Sequence, residues 1–431
     1  RPNRYFKNNH QHKEILVGMR ILLIHQYFLE KTDGGGSRFN EMTKNWASLG
    51  GEITVLAGMV DYATGKKRDR YKGKYIFKDD RYYTNVNVIR SNVSETYNSG
   101  FLGRLWGYFS FVFSSIYAGL FVAKGKYDVI VVTSPPLFVG ITAVILSLFK
   151  KAPIVFEVRD LWPESAIDTG VLKNKLIIKM AYWFENYIYK KSKLINVLTP
   201  AFKAKLIEKG VPKEKIIFVP NAADFTLAEQ LKNDNFDAIS FKKELGLEGK
   251  FVITYVGAHG VANHLIQLVD VAERLQDTQV IFQLIGYGPE KENLIEVTKK
   301  RNLSNIIFKD SVPKKEVFKY ILSYDMGMSV LKKVDTFKTI YSNKTFDYMS
   351  CKIPVLMLID GISKELVEQA KCGIFAEPEN TDYIVNKVIE MMQYKDLSVL
   401  GENGYAYAKE NFDRTKLASY YYKRLETIKE K

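Results

Sequence analysis

The chain has 431 residues, room for two domains of ordinary size, and 46% of them are apolar, enough to fill two cores. A net charge of +15 calls for an anionic partner, but no zinc finger, helix-turn-helix or RNA-binding sequence favours nucleic acid; an anionic membrane surface or a phosphorylated substrate fits better. Two cysteines, Cys351 and Cys372, make neither a disulfide framework nor a zinc spacing, and no His/Cys/carboxylate cluster reads as a metal site.

Residues 1–18 are polar and lack the apolar stretch of a secretory signal; they read as a leader or added segment outside the fold, with Met19 as the start. Residues 21–24 are a short apolar strand that opens into Asp33-Gly34-Gly35-Gly36-Ser37 and a helix over 38–49. Further strands are expected at 53–56, at 129–132 ending in Thr133-Ser134-Pro135-Pro136, and at 154–158 ending in Arg159-Asp160-Leu161-Trp162-Pro163. Two more follow at 194–198 and 216–220. The second half repeats the plan. A strand at 253–256 ends in Gly257-Ala258-His259-Gly260, and one at 280–285 ends in Gly286-Tyr287-Gly288. Helices are expected over 265–275, from Glu290, and over 314–322, with a strand at 306–308 between the last two. Alternating strands and helices, with glycines at the strands' carboxyl ends, predict an α/β chain of two doubly wound halves that bind ligands at those ends. The full GxGxxG fingerprint is absent, which argues against a nicotinamide-dependent enzyme.

The run Tyr341-Ser342-Asn343-Lys344-Thr345-Phe346-Asp347-Tyr348-Met349 is the densest in chemistry. Ser342 or Asn343 is placed to cap a helix starting at Lys344, whose free N–H groups and dipole make an anion seat beside the lysine charge. Asp347, three residues on, shares that face, where a carboxylate grips paired hydroxyls. Diphosphate plus ribose describes a nucleotide sugar; a capped surface helix leading into a core strand is the plainer alternative.

Residues 105–123 carry no charge and just reach the length of a membrane span, but serines, glycines and tyrosines suit a helix packed on a sheet. Residues 137–149 read as a second apolar helix. Residues 173–193 mix Lys175, Lys179, Lys190 and Lys191 with Tyr182, Trp183, Phe184 and Tyr187. That mixture suits a lipid interface, and equally a helix with buried aromatics and solvated lysines.

In order and spacing, several motifs together resemble the GT-B glycosyltransferases of retaining family 4. They are the triple glycine, Arg159-Asp160-Leu161-Trp162-Pro163, Val219-Pro220-Asn221-Ala222-Ala223-Asp224, Tyr255-Val256-Gly257, Gly286-Tyr287-Gly288-Pro289-Glu290, the run around Lys344 and Cys372-Gly373-Ile374-Phe375. The resemblance covers nearly everything from Met19 on. It is strongest to the branch that builds bacterial O-antigen, capsule or exopolysaccharide repeats, N-acetyl-L-fucosamine transferases included. It implies two Rossmann-like domains facing across a cleft: an acceptor-side domain over 19–225 and a nucleotide-sugar domain over 226–408. A helix over 409–431 would return to the first.

The implied donor is a UDP-sugar, a HexNAc or deoxy-HexNAc, held by Gly257, His259, Gly260, Gly286, Gly288, Ser342, Asn343, Lys344 and Asp347. Gly34, Gly35, Gly36 and Ser134 fall on the acceptor side, and Asp160, Arg159 and Lys344 are the catalytic candidates. His25 and His259 are possible acid/base groups. No metal or other cofactor is expected. The implied acceptor is a lipid-diphosphate-linked saccharide, reached by a cytoplasmic enzyme peripheral to the inner face of the plasma membrane. Two departures stand out. The family's Glu-x7-Glu pair keeps only its second member, as Asp347, with Thr339 at the first position. Ala258 and Asn263 occupy the places of a common Arg/Lys clamp, leaving the diphosphate to Lys344 and helix N–H groups. A GT-B nucleotide-sugar epimerase, or a non-catalytic scaffold that keeps the fold, are the alternatives.

Overall fold

The computed structural model describes residues 18–429 apart from 32–37, 62–63, 99, 169 and 171. The triple glycine Gly34–Gly36 therefore lies outside the described residues, as do residues 1–17.

The first sheet has eight strands: β1 (Arg20–Ile24), β2 (Glu52–Gly58), β3 (Ile76–Tyr83), β4 (Val86–Ser91), β5 (Val129–Ser134), β6 (Ile154–Val158), β7 (Leu194–Val197) and β8 (Ile216–Phe218). Their order is β3-β4-β2-β1-β5-β6-β7-β8, parallel throughout except for β3. β1 pairs with both β2 and β5, so the strand order reverses beside it, the point where doubly wound sheets open a crevice. Strand alternation sends Leu22 and Ile24 to one core and Ile21 and Leu23 to the other. Helices Gly100–Tyr117, Val139–Lys150 and Lys175–Lys191 lie over the first of these faces. Helices Arg38–Ser48 and Arg414–Lys429 cover the second, where the Trp46 indole N–H donates to the Ala418 carbonyl at 3.1 Å. The last helix thus completes the core of the sheet built from the first half of the chain.

The second sheet is all parallel: β9 (Phe251–Val256), β10 (Val280–Ile285), β11 (Ile306–Lys309), β12 (Met326–Val330), β13 (Val355–Leu358) and β14 (Gly373–Phe375), in the order β11-β10-β9-β12-β13-β14. It reverses between β9 and β12, which brings the Gly257 turn to its crevice.

One departure from the expectations above is an added hairpin. The β3–β4 hairpin has no counterpart in them, because β3 is an antiparallel edge strand carrying Lys78, Asp79, Asp80 and Arg81 rather than an apolar run. The uncharged segment forms the helix Gly100–Tyr117 and a π-helical turn, Ala118–Val122, and stays long and apolar enough to cross a bilayer. One of its faces is nonetheless core: Phe111, Val112 and Ala118 are buried. Ser114 Oγ donates to the Asn92 carbonyl at 2.6 Å, and Ser115 bonds Thr142 at 2.9 Å.

Candidate functional site

The two sheets meet at their carboxyl edges. Thr199 Oγ1 donates to the Thr339 carbonyl at 2.7 Å, Asn221 donates to Asn343 Oδ1, and Thr336 bonds Asp168. Between them lies a cavity of about 100 Å³ whose lining includes Arg38, Arg159, Asn221, Lys314, Asn343, Asp347 and Arg414.

On the second domain's side the helix Asn343–Ser350 points its N-terminus at the Gly257 turn. The ammonium of Lys344 stands 4.8 Å from the centre of the Tyr255 ring, and its end carbons pack where a side chain at residue 257 would begin. Burial pulls the Lys344 ammonium down to about 8, against the opposing pull of Asp347. Gly286 is a glycine because a Cβ there would overlap the Gly257 carbonyl oxygen. That close approach holds the ends of β9 and β10 together. The N–H groups of Ala258 and Gly260 make no hydrogen bond among the described residues, so this turn keeps donors for an anion.

Two expectations about this helix need correction. It starts at Asn343, and neither Ser342 nor Asn343 caps it through its side chain. Ser342 Oγ is buried with no partner among the described residues, and Asn343 is drawn across to Asn221 instead. The Thr345 N–H donates to the Ser342 carbonyl at 3.1 Å, and the Asn343 and Lys344 N–H groups have no partner among the described residues.

Asp347 is half-buried, 3.5 Å from Lys314. Burial pushes its carboxyl up, while Lys314 and Arg414 pull it back. Lys314 and Arg414 also bridge to Asp224, at 3.2 and 3.3 Å.

His259 was expected among the donor-binding residues and as an acid/base group. Its ring is fully buried between Tyr255 and Phe308, with neither nitrogen bonded among the described residues. Burial, with Lys291 nearby, lowers it to about 4, so it is neutral near pH 7. It supports the turn through its backbone, accepting from Glu290 N–H and donating to the Tyr287 carbonyl. Its ring has no route to shuttle protons in the cleft. His25 is likewise buried, bonded to Thr133 Oγ1 at 2.8 Å and lowered well below its usual value by burial and Arg159.

On the first domain's side Arg159 lines the cavity and Asp160 does not. Asp160 accepts from Ser165 Oγ at 2.7 Å, and burial raises its carboxyl despite that bond. This suits a residue that shapes the turn after β6 rather than one that touches a ligand. Ser134 is buried at the end of β5 and, like Lys344 and Gly257, is not among the residues lining that cavity.

Of the four cavity cations, Arg159 was singled out from sequence and Arg38, Lys314 and Arg414 were not. Arg38 forms a buried ion pair with Glu157 at 2.9 Å and also donates to the Val219 and Pro220 carbonyls. Glu157 accepts in addition from Asn196 at 2.9 Å. Lys314 and Arg414 arrive from other helices, and Arg159 from the turn after β6. Only the Val219-Pro220-Asn221 motif signalled that this linker mattered.

Family models match in two blocks: the Glycosyl transferase 4-like domain over residues 33–222, and Glycosyl transferases group 1 over residues 237–407. The first block holds every strand of the first sheet except β1, the second block holds the whole second sheet, and residues of the first block and of the second line the cavity together. This chain belongs to the GT-B glycosyltransferases of family 4. A relative of this glycosyltransferase from Escherichia coli K12, named for colanic acid biosynthesis (WcaI), is 25% identical over 293 residues, 67% of this chain and 71% of that one. HepE from Anabaena, solved with UDP and glucose, superposes with a TM-score of 0.69 at 17% identity, over 95% of this chain and all of that one. The N-terminal domain of Candida albicans trehalose-6-phosphate phosphatase gives 0.73 at 13% identity, over 98% and 99% of the two chains. At such identities these structures speak for the fold. The narrower branch of N-acetyl-L-fucosamine transferases is not singled out by these matches.

Proposed function

We propose that this glycosyltransferase moves a HexNAc or deoxy-HexNAc from its UDP-sugar to a lipid-diphosphate-linked saccharide in bacterial surface polysaccharide synthesis. The observation that carries the donor half is Lys344, whose half-buried side chain meets the Gly257 turn at a helix N-terminus with no side-chain cap. A cation and free N–H groups converging on one point seat a diphosphate and stabilise it as it leaves. Asp347 holds the ribose hydroxyls. The acceptor oxygen bonds to the anomeric carbon as that carbon's bond to the β-phosphate oxygen breaks. The phosphate keeps the electron pair and receives the hydroxyl proton, on the same face of the sugar, which retains configuration. The Escherichia coli relative, named for colanic acid biosynthesis, and UDP in the Anabaena structure support this choice of pathway and nucleotide.

Melting curves with UDP, GDP and their sugars test the donor half. UDP and UDP-sugars at a hundredfold excess over Kd should raise the melting temperature by about 5 °C. No shift with any nucleoside diphosphate or its sugar would sink the proposal.

The cytoplasmic, membrane-peripheral placement belongs to the same proposal. Helices Gly100–Tyr117, Val139–Lys150 and Lys175–Lys191 lie on one face of the first sheet, tied by Phe109–Phe138 and Phe138–Phe184 ring contacts. They expose Trp106, Phe113, Leu148, Phe149, Met180 and Trp183. The last helix adds exposed Lys175, Lys179, Lys190 and Lys191, and its single acid, Glu185, is buried against Lys209 at 2.7 Å. An apolar face with lysines and no exposed carboxylate among its described residues matches an anionic leaflet, each lysine contributing about 1 kcal/mol. Co-sedimentation with anionic vesicles should fall only in part as salt rises, because apolar insertion remains. The double variant Phe149→Ser/Trp183→Ser should lose most of the salt-resistant fraction. Equal failure to bind neutral and anionic vesicles at low salt would remove the membrane from the proposal.

A further inference from the structure

Beside the crossing between the domains, the starts of several helices gather around a pair of carboxylates, Asp224 and Asp347. Asp224 caps the helix Phe225–Asn233, accepting from the Thr226 N–H at 3.2 Å. The helices Lys314–Ser323 and Arg414–Lys429 each begin with a cation, at the end where the helix dipole disfavours one. What these cations meet explains their place. Lys314 reaches Asp224 at 3.2 Å and Asp347 at 3.5 Å, and Arg414 reaches Asp224 at 3.3 Å. The sharing is uneven. Burial pushes the Asp224 carboxyl up, but Arg414, Lys314 and the Thr226 N–H outweigh it and hold the group below its usual range. Asp347 is paired with Lys314 alone among the described residues, and burial keeps its carboxyl raised. Asp347 also lines the cavity, so its remaining acceptor sites are open to paired hydroxyls. Asp224, by contrast, is fixed to the crossing: the neighbouring Ala223 N–H donates to the Phe412 carbonyl at 2.9 Å, and Arg414 opens the helix that completes the first domain's core.

We infer that Lys314 is a positioning residue for the donor's ribose: anchored on Asp224, and through it on the crossing, it holds the Asp347 carboxylate ready for the ribose hydroxyls. The inference rests on the reading above that Asp347 holds the ribose, and adds the group that aims it. Without the ammonium, Asp347 loses its paired cation. The carboxylate is then less compensated in its partly buried place, and turns to water or takes up a proton instead of accepting from both hydroxyls. Arg414 keeps Asp224 paired in that case, so the crossing survives the loss of Lys314.

The test compares UDP with 2′,3′-dideoxy-UDP, which lacks both hydroxyls but keeps the base and the diphosphate, by isothermal titration at pH 7. The unsubstituted protein should prefer UDP about 10²-fold, as hydroxyl bonds to a carboxylate allow. Lys314→Met should cut that preference by about tenfold, while dideoxy-UDP binds within about threefold of its wild-type affinity, which also shows that the variant is folded. Lys314→Arg should keep most of the preference. Lys315→Met should leave it unchanged, since that lysine pairs with Asp234 at 2.9 Å. A full preference in Lys314→Met, or an equal loss of both ligands, would overturn the role given to Lys314 and leave the ribose reading standing. If the unsubstituted protein binds both ligands alike, Asp347 does not hold the ribose, and the inference falls with that reading.

Discussion

Replacing Lys344 with alanine should lower UDP affinity about 10²-fold and transfer by about 10²–10³, with little change in melting temperature. The ammonium is desolvated over Tyr255 at the Gly257 turn, so the folded protein holds an awkward charge there that only an anionic ligand rewards. Titration makes the same point without a substitution. In the free protein this lysine loses its proton near pH 8. A bound diphosphate favours the charged form and raises that value. Affinity should therefore be full below pH 8 and fall as pH rises through it, by about tenfold at pH 9. A UDP-sugar is the ligand to use, since its diphosphate diester does not titrate in this range. Isothermal titration between pH 6.5 and 9.5 reads the break. In Lys344→Arg the break should vanish, because guanidinium stays charged. A flat profile in the unsubstituted protein would show that Lys344 does not meet the diphosphate.

Glu157→Ala should be the most destabilising single change in the first domain, by about 3–5 kcal/mol. Glu157 is wholly buried and Arg38 nearly so, and the pair sits where β6, β7 and the β8 linker converge on the helix Arg38–Ser48. Removing the carboxylate strands a guanidinium whose other bonds, to the Val219 and Pro220 carbonyls, carry no countercharge. A loss of that size in a domain of about 200 residues lowers its melting transition by about 10 °C. The double variant Arg38→Met/Glu157→Leu should recover most of the loss, because an apolar pair avoids the desolvation cost of two ions. Calorimetric scans that resolve the first domain's transition would check both. A fall of less than 1 kcal/mol in Glu157→Ala would mean that water reaches the pair.

The grouping of Asn343, Lys344 and Asp347 was readable because it is local. Asn343, Lys344 and Asp347 lie within a turn and a half of one helix, so helical spacing alone puts them on one face. The glycine turns follow directly on apolar strands, so their place at the strand ends came with the α/β alternation.

What sequence could not decide were pairings across the chain. That Ser165 holds Asp160, and that Ser134 is buried at the end of β5, is visible only in the fold. His259 sits in a glycine turn, yet whether its ring faces the cleft or the core depends on Tyr255 and Phe308, each from a different strand. Arg38, Lys314 and Arg414 come from three helices with no shared periodicity, and only packing of the two sheets gathers them around one cavity. The last helix makes the point most directly: only the resemblance, and no pattern in its own residues, implied its return to the first domain, and its place there is set by the apolar surface the first sheet leaves uncovered. Local sequence fixes which face of an element is apolar and which residues share it. Which distant face it meets is decided by the fold as a whole, because burying apolar area is favourable against any surface of the right shape.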